Sequence, residues 1–172
     1  RHRAVYQRTL RGTIAVLLVV AAISVLVATL WMPVLQIYGS SMSPTLEAGQ
    51  IVVSVKTNQL KTGEVVAFWQ GNKLLVKRVI AGPGQWVDID MDGNVTVDGK
   101  ELTEDYLDVK ALGNCDVELP HQVEESRWFL MGDNRDVSVD SRSAAIGDVS
   151  KDQIEGKIVF RIWPLKEFGS IQ

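Results

Sequence analysis

The chain has 172 residues, 46% of them hydrophobic, with 18 Lys and Arg against 21 Asp and Glu. Arg1, Arg3, Arg8 and Arg11 precede a long uncharged stretch, so the remainder carries 14 basic against 21 acidic residues, about minus seven; an acidic remainder without a basic patch excludes nucleic acid as a partner. Cys115 is the only cysteine, so no internal disulfide is available, and about 135 residues beyond the apolar stretch allow one compact domain.

The first element is that stretch. No charged side chain lies between Gly12 and Leu46, and Ile14 to Leu35 is apolar apart from Ser24 and Thr29. Its 22 residues at ~1.5 Å rise give roughly 33 Å, enough for a ~30 Å hydrocarbon core. A cleaved secretory signal has a shorter apolar region, ~7–15 residues, so length favours an anchor that is kept. With four arginines and no acid before it, the positive-inside rule places the N-terminus in the cytoplasm. The expected organisation is a cytoplasmic basic tail over 1–11, a transmembrane anchor over 12–36 and an extracytoplasmic domain over 37–172, located at the cell membrane.

Beyond the anchor, short β-rich runs are punctuated by Gly, Pro and Asp. Strands are expected at 50–55, 64–69, 73–81, 86–91, 95–97, 128–131 and 157–163, an all-β domain. Asp92-Gly93 and Asp98-Gly99 are hairpin-turn dipeptides, and Gly82-Pro83-Gly84 separates two strands. Ser150, with Gln153 three residues on, marks a short capped helical turn. The polar insert 103–126 shows no pattern that assigns it a role. Asp88, Asp90, Asp92 and Gly93 match the opening of an EF-hand calcium loop, but Gly99 stands where the bidentate Glu belongs and no helices flank it. Alternation with Val87, Ile89 and Met91 reads instead as one wet strand face and a turn. No metal or other cofactor is implied.

Three segments carry the chemistry: Gly39-Ser40-Ser41-Met42-Ser43-Pro44-Thr45-Leu46, Leu75-Val76-Lys77-Arg78-Val79-Ile80, and Gly132-Asp133-Asn134-Arg135-Asp136-Val137-Ser138-Val139-Asp140-Ser141-Arg142. A serine hydroxyl is a weak nucleophile near neutral pH and needs an adjacent base; a lysine serves only when its amine is neutral. Lys77 sits among Leu75, Val76, Val79 and Ile80, and burial disfavours the ammonium form. A hydroxyl such as that of Ser138 can orient the amine, and Asp140 with Arg142 has the opposite charges to fix that loop.

In this order, after an N-terminal span, these segments resemble the bacterial type I signal peptidases. Gly63-Glu64-Val65-Val66-Ala67-Phe68, Gly156-Lys157-Ile158 and Arg161-Ile162-Trp163-Pro164 with Phe168-Gly169-Ser170-Ile171 agree with the same family. The resemblance implies an all-β catalytic domain of bent antiparallel sheets preceded by one transmembrane helix. It implies a membrane-bound serine endopeptidase that removes signal peptides from exported preproteins, cutting after small residues of the Ala-x-Ala type. By motif position, Ser41 is the nucleophile, Lys77 the general base, Ser138 the hydroxyl that orients it, and Asp140 with Arg142 the supporting pair. Gly39 stands where some members carry a serine that stabilises the oxyanion, which leaves that role to the Ser41 N–H with Ser40. The implied substrate-binding walls are Ile37, Tyr38, Met42, Leu46, Val76 and Val79, with the substrate pairing against strand edges near Ile37 to Ser41 and Val79 to Gly82. The implied partners are preprotein signal peptides and the lipid bilayer. Ser41 follows Leu35 by six residues, about 21 Å of extended chain at most, so the resemblance implies catalysis at the bilayer surface.

Two rival readings make different predictions. A serine–histidine pair would use His121, the one histidine beyond the anchor. A non-catalytic membrane-tethered β-domain that binds extracellular partners would be indifferent to loss of Ser41.

Overall fold

The structure, a computed structural model, describes residues 2–57 and 59–171. Arg1 and the side chains of Arg3 and Arg8, three of the four arginines expected to hold the tail inside, lie outside what is described. Two units divide at Pro33, Arg1–Pro33 and Val34–Gln172.

In the first unit, helix α1 spans His2–Trp31, and its stretch Thr9–Trp31, 23 residues, is long and apolar enough to cross a membrane. Leu17, Val25, Leu30 and the other large apolar side chains of this stretch are exposed. The polar interruptions are satisfied within the helix: Ser24 Oγ donates to the Val20 carbonyl at 2.8 Å and Thr29 Oγ1 to Leu26 at 3.0 Å. The helix stops where Pro33, which restricts the residue before it, rules out another turn. Val34 to Gln36, expected as the end of the anchor, instead form strand β1. Hydropathy cannot separate an apolar strand from the tail of an apolar helix.

The second unit holds an eight-stranded and a four-stranded antiparallel sheet. The large sheet runs β1 (Val34–Gln36), β2 (Ile51–Val55), β11 (Ile154–Trp163), β3 (Val65–Gln70), β4 (Lys73–Ala81), β9 (Arg127–Met131) and β10 (Val149–Ser150), with β12 (Gly169–Ser170) also on β11. The small sheet is ordered β7 (Lys100–Glu101), β6 (Val95–Val97), β5 (Trp86–Ile89) and β8 (His121–Gln122). Register shifts in β11 on both sides and in β4 between Val79 and Ala81 bend the large sheet. At Gly156 a side chain would lie 2.9 Å from the Val55 carbonyl, so the bulged strand can approach β2 only without one.

One core joins the two sheets. Ile80, Ala81, Phe129 and Met131 from the large sheet pack against Val87, Ile89, Val95 and Val97 from the small one. Leu112, Val117 and Leu119 close it from the insert, which has no regular structure beyond β8 but is ordered by its apolar residues. The expected strand to Met91 ends at Ile89, and Met91 is exposed. The Asp90 carboxylate turns the chain by accepting from the Asp92 and Asn94 N–H groups, which also occupies it as a would-be calcium ligand. Asp98 and Gly99 both adopt positive φ between β6 and β7, as the Asp-Gly dipeptide predicts. Lys151–Gln153 is a single 3₁₀ turn, with the Gln153 side chain accepting from the Ser150 N–H at 2.9 Å.

Candidate active site

Three stretches converge at the point where β4 loses its second neighbour. β4 pairs with β3 from Lys73 to Arg78, but β9 covers its other edge only from Arg78 onward. From Leu74 to Lys77 the other edge has no strand partner among the described residues. Across from it runs the segment Ile37 to Leu46, and between them lies a groove of about 540 Å³. Its walls include Ile37, Tyr38, Ser41, Met42, Leu74 and Val76, and it reaches Trp69 and Asn72 at the β3–β4 turn.

Gly132, just past the end of β9, is where the stretches meet. A side chain there would lie 2.5 Å from the Ser41 carbonyl and collide with the Ser138 hydroxyl. The β4–β9 register pairs Arg78 with Met131, so its next step sets Gly132 across from Lys77. Asn134 fixes the serine segment: its N–H donates to the Ser41 carbonyl at 3.0 Å and its Nδ2 to the Ser40 carbonyl at 3.2 Å. The Ser41 N–H donates to no group among the described residues, and Ser41 itself is half-buried at the groove.

Lys77 is only 3% exposed. Burial, helped by the charge of Arg142, pulls its amine down from 10.5 to about 8, although Asp140 and Asp133 oppose the shift. Asp140 is held by Arg142, which donates from Nε and Nη2 at 2.9 Å each, and by the Gly132 N–H at 2.9 Å. Burial pushes the Asp140 carboxyl up, but these donors outweigh it and keep it below the usual carboxylate range. Ser138 Oγ is buried close enough to Asp140 to contribute to that lowering, yet it completes no hydrogen bond of good geometry. A buried hydroxyl without a partner is costly, and the Lys77 amine is the chemical group that suits it.

A second network, which sequence reasoning passed over, ties the stretches together. Asp133 takes two hydrogen bonds from Arg78, at 2.9 and 2.7 Å, and one from Thr45 Oγ1 at 2.5 Å. Arg78 also donates to the Gly63 carbonyl at 2.7 Å. Arg78 alternates with Lys77 along β4, so one points away from the groove side while the other serves it. The signal was present in the sequence: an arginine amid an apolar strand and an aspartate after a glycine, each fully buried here with the other as its partner.

Of the remaining expected residues, Ser40 is exposed, and Ile37, Tyr38, Met42 and Val76 line the groove. Leu46 and Val79 are 0% and 1% exposed and do not line it; Leu46 packs behind Met42 and Val76, and Val79 belongs to a separate cluster with Phe68 and Leu130. The edge Val79 to Gly82, expected to receive a substrate strand, is occupied. Val79 bonds to Glu64 and Gly63 on one side, and Val79 and Ala81 face β9 on the other. The free edge is Leu74 to Lys77. His121 lies outside the groove lining, with Nε2 3.0 and 3.1 Å from the two Asp148 oxygens and its ring against Phe129. No group of three or more His, Cys, Asp or Glu residues able to hold a metal occurs among the described residues.

Residues 10–163 match the family described as signal peptidase, peptidase S26. Signal peptidase IB of Staphylococcus aureus (strain COL) is 39% identical over 153 residues, covering 77% of this chain and 78% of the relative. Signal peptidase I of Bacillus licheniformis is 32% identical over 169 residues, covering 89% and 88%. A crystal structure of a signal peptidase I from Enterococcus faecalis V583 aligns at 25% identity and TM-score 0.48, covering 59% of this chain and 98% of that one.

Proposed function

The chain belongs to the signal peptidase family, peptidase S26, and is a serine peptidase; from this premise we propose that it cleaves signal peptides from exported preproteins with Ser41 as nucleophile and Lys77 as general base. The observation that carries the reading is Lys77: a lysine 3% exposed, with its amine lowered to about 8, in a register that sets it across from Gly132, which abuts the Ser138 hydroxyl and the Ser41 carbonyl. A structural lysine has no reason to be there, because its burial costs stability.

The substrate enters as an extended strand between the free edge of Leu74 to Lys77 and the segment Tyr38-Gly39, whose backbone groups make no backbone hydrogen bonds among the described residues. Alternate side chains of that strand point toward Ile37, Met42 and Val76, which are close enough together to favour small residues such as those of Ala-x-Ala. Neutral Lys77 takes the proton of Ser41 Oγ as it attacks the scissile carbonyl. The free Ser41 N–H, with Ser40 beside it, receives the oxyanion, a stabilisation worth ~3–4 kcal/mol. The lysine then passes the proton to the departing amine, and water releases the acyl group from Ser41 by the same base. Ser138 orients the amine, and Asp140 with Arg142 holds the loop that carries Ser138. Helix α1 anchors the enzyme in the bilayer, with the N-terminal arginines inside and the β-domain outside.

The test is cleavage of a purified preprotein by the detergent-solubilised full chain. Ser41→Ala and Lys77→Ala should each abolish turnover with the fold retained, and the double variant should be no worse than either single, because the two act as one unit. Turnover that survives in Lys77→Ala, or is lost in His121→Ala, would refute the assignment of the base. Unchanged cleavage in Ser41→Ala would favour the tethered binding domain.

A further inference from the structure

We infer that Tyr106, together with Glu104, is a positioning residue for the reaction: from the insert, the two side chains close a ring over Arg78 that holds the Lys77 strand and the Gly132 to Arg135 loop in one register. The inference rests on the Ser41–Lys77 reading above and assigns a task to a segment whose sequence pattern suggested none.

The ring can be followed atom by atom. The edges of the Arg78 guanidinium are filled by Asp133, Gly63 and Thr45, the last at 3.2 Å from Nη2. Over its face lies the Tyr106 ring, with the Arg78 Cζ 3.8 Å from the ring centroid, a cation–π contact. The Tyr106 hydroxyl donates to Glu104 Oε1 at 2.8 Å. Glu104, itself buried, takes Arg135 Nη2 on the same oxygen at 2.5 Å, and Arg135 Nε donates to the Gly132 carbonyl at 3.0 Å. Asp133, between Gly132 and Asn134, completes the circuit back to Arg78.

Both ends of this ring are covalent neighbours of reacting or supporting groups. Arg78 adjoins Lys77. The Gly132 to Arg135 loop holds the Ser41 carbonyl through Asn134 and lies against Ser138. Tyr106 lines no part of the substrate groove, so its influence must run through the placement of the base and the serine and not through binding. Tyr106 is half-buried over Arg78 while the Arg78–Asp133 pair is fully buried, and excluding water keeps that pair's attraction from being screened. Small misplacement of catalytic groups can cost up to about 10²-fold in rate.

The experiment compares parent, Tyr106→Leu, Tyr106→Phe and Lys77→Ala as detergent-solubilised full chains on one preprotein with an Ala-x-Ala site, with urea midpoints recorded for each. Leu keeps apolar bulk but has no π face, whereas Phe keeps the face and loses only the hydroxyl. Expected are a kcat at least about tenfold lower in Tyr106→Leu with KM within about twofold, and in Tyr106→Phe, which keeps the face over Arg78 but opens the link to Glu104, a kcat between that of the Leu variant and the parent. Equal kcat in Leu and Phe variants, or a change confined to KM, would overturn the proposal. A Leu variant that is unfolded under assay conditions would mark Tyr106 as structural and overturn it too. Lys77→Ala keeps the two readings apart: cleavage surviving there would refute the dyad, independently of how the Tyr106 pair behaves.

Discussion

Replacing Lys77 by Met should destroy activity and stabilise the protein. Met keeps an unbranched chain of similar length but leaves no amine to desolvate. The amine sits at about 8 in the folded domain against 10.5 when free. At ~1.4 kcal/mol per unit, the folded state at pH 7 therefore bears a penalty of about 3 kcal/mol. The sign follows from proton counts. Between pH 8 and 10.5 the unfolded lysine still holds a proton that the folded one has released, so the parent gains stability as pH rises through that window. Below about pH 8 the whole penalty is present; by pH 10 it has fallen to less than about 1 kcal/mol. Urea unfolding of the detergent-solubilised chain, followed by tryptophan fluorescence, reads this directly. With m of ~1–3 kcal/mol/M, the Met variant should unfold at a midpoint higher by about 1 M or more at pH 7, with little difference at pH 10. A Met variant less stable than the parent at pH 7, or a gain that does not shrink toward pH 10, would refute a desolvated lysine.

Other outcomes follow from the same geometry. Ser138→Ala removes a buried hydroxyl that completes no hydrogen bond, so its unfolding free energy should change by no more than about 1 kcal/mol while kcat falls about tenfold or more; the reverse pattern would make Ser138 structural. Asp133→Ala strands the buried Arg78 charge and should cost about 3–5 kcal/mol in the same unfolding assay; a cost below about 1 kcal/mol would mean that the pair does not join the three stretches. In the substrate, Phe in place of Ala directly before the cut should lower kcat/KM by about 5- to 150-fold, since overpacking costs ~1–3 kcal/mol. Equal cleavage of both substrates would contradict the groove walls.

Local patterns made much of this molecule readable. Lys73 to Ala81 and Val95 to Val97 are strands at the expected bounds, and Asp98-Gly99 turns as its dipeptide requires. What stayed hidden depends on long-range partners. Leu46 and Val79 are apolar residues next to motif positions, and only the packing reveals that they lie behind the groove. The edge that is free, Leu74 to Lys77, is decided by where β9 ends, some fifty residues further along the chain. The polar insert looked featureless because its apolar core residues, such as Val123, are scattered and its other buried members are Glu104, sealed by Arg135, and a tyrosine half-buried on Arg78. Buried charge carries no hydrophobic period, so pairing across 31 residues escapes any local pattern.

The most direct measurement is the titration of the Lys77 amine itself, followed by NMR in the full-length Ser41→Ala protein with isotope-labelled lysine and compared with the pH dependence of kcat/KM in the parent, which reports the free enzyme's base. The amine should titrate near pH 8, and the rate should rise through the same midpoint. An amine that titrates above about 10, in the ordinary lysine range, while the rate still rises near pH 8 would show that a different group takes the proton from Ser41.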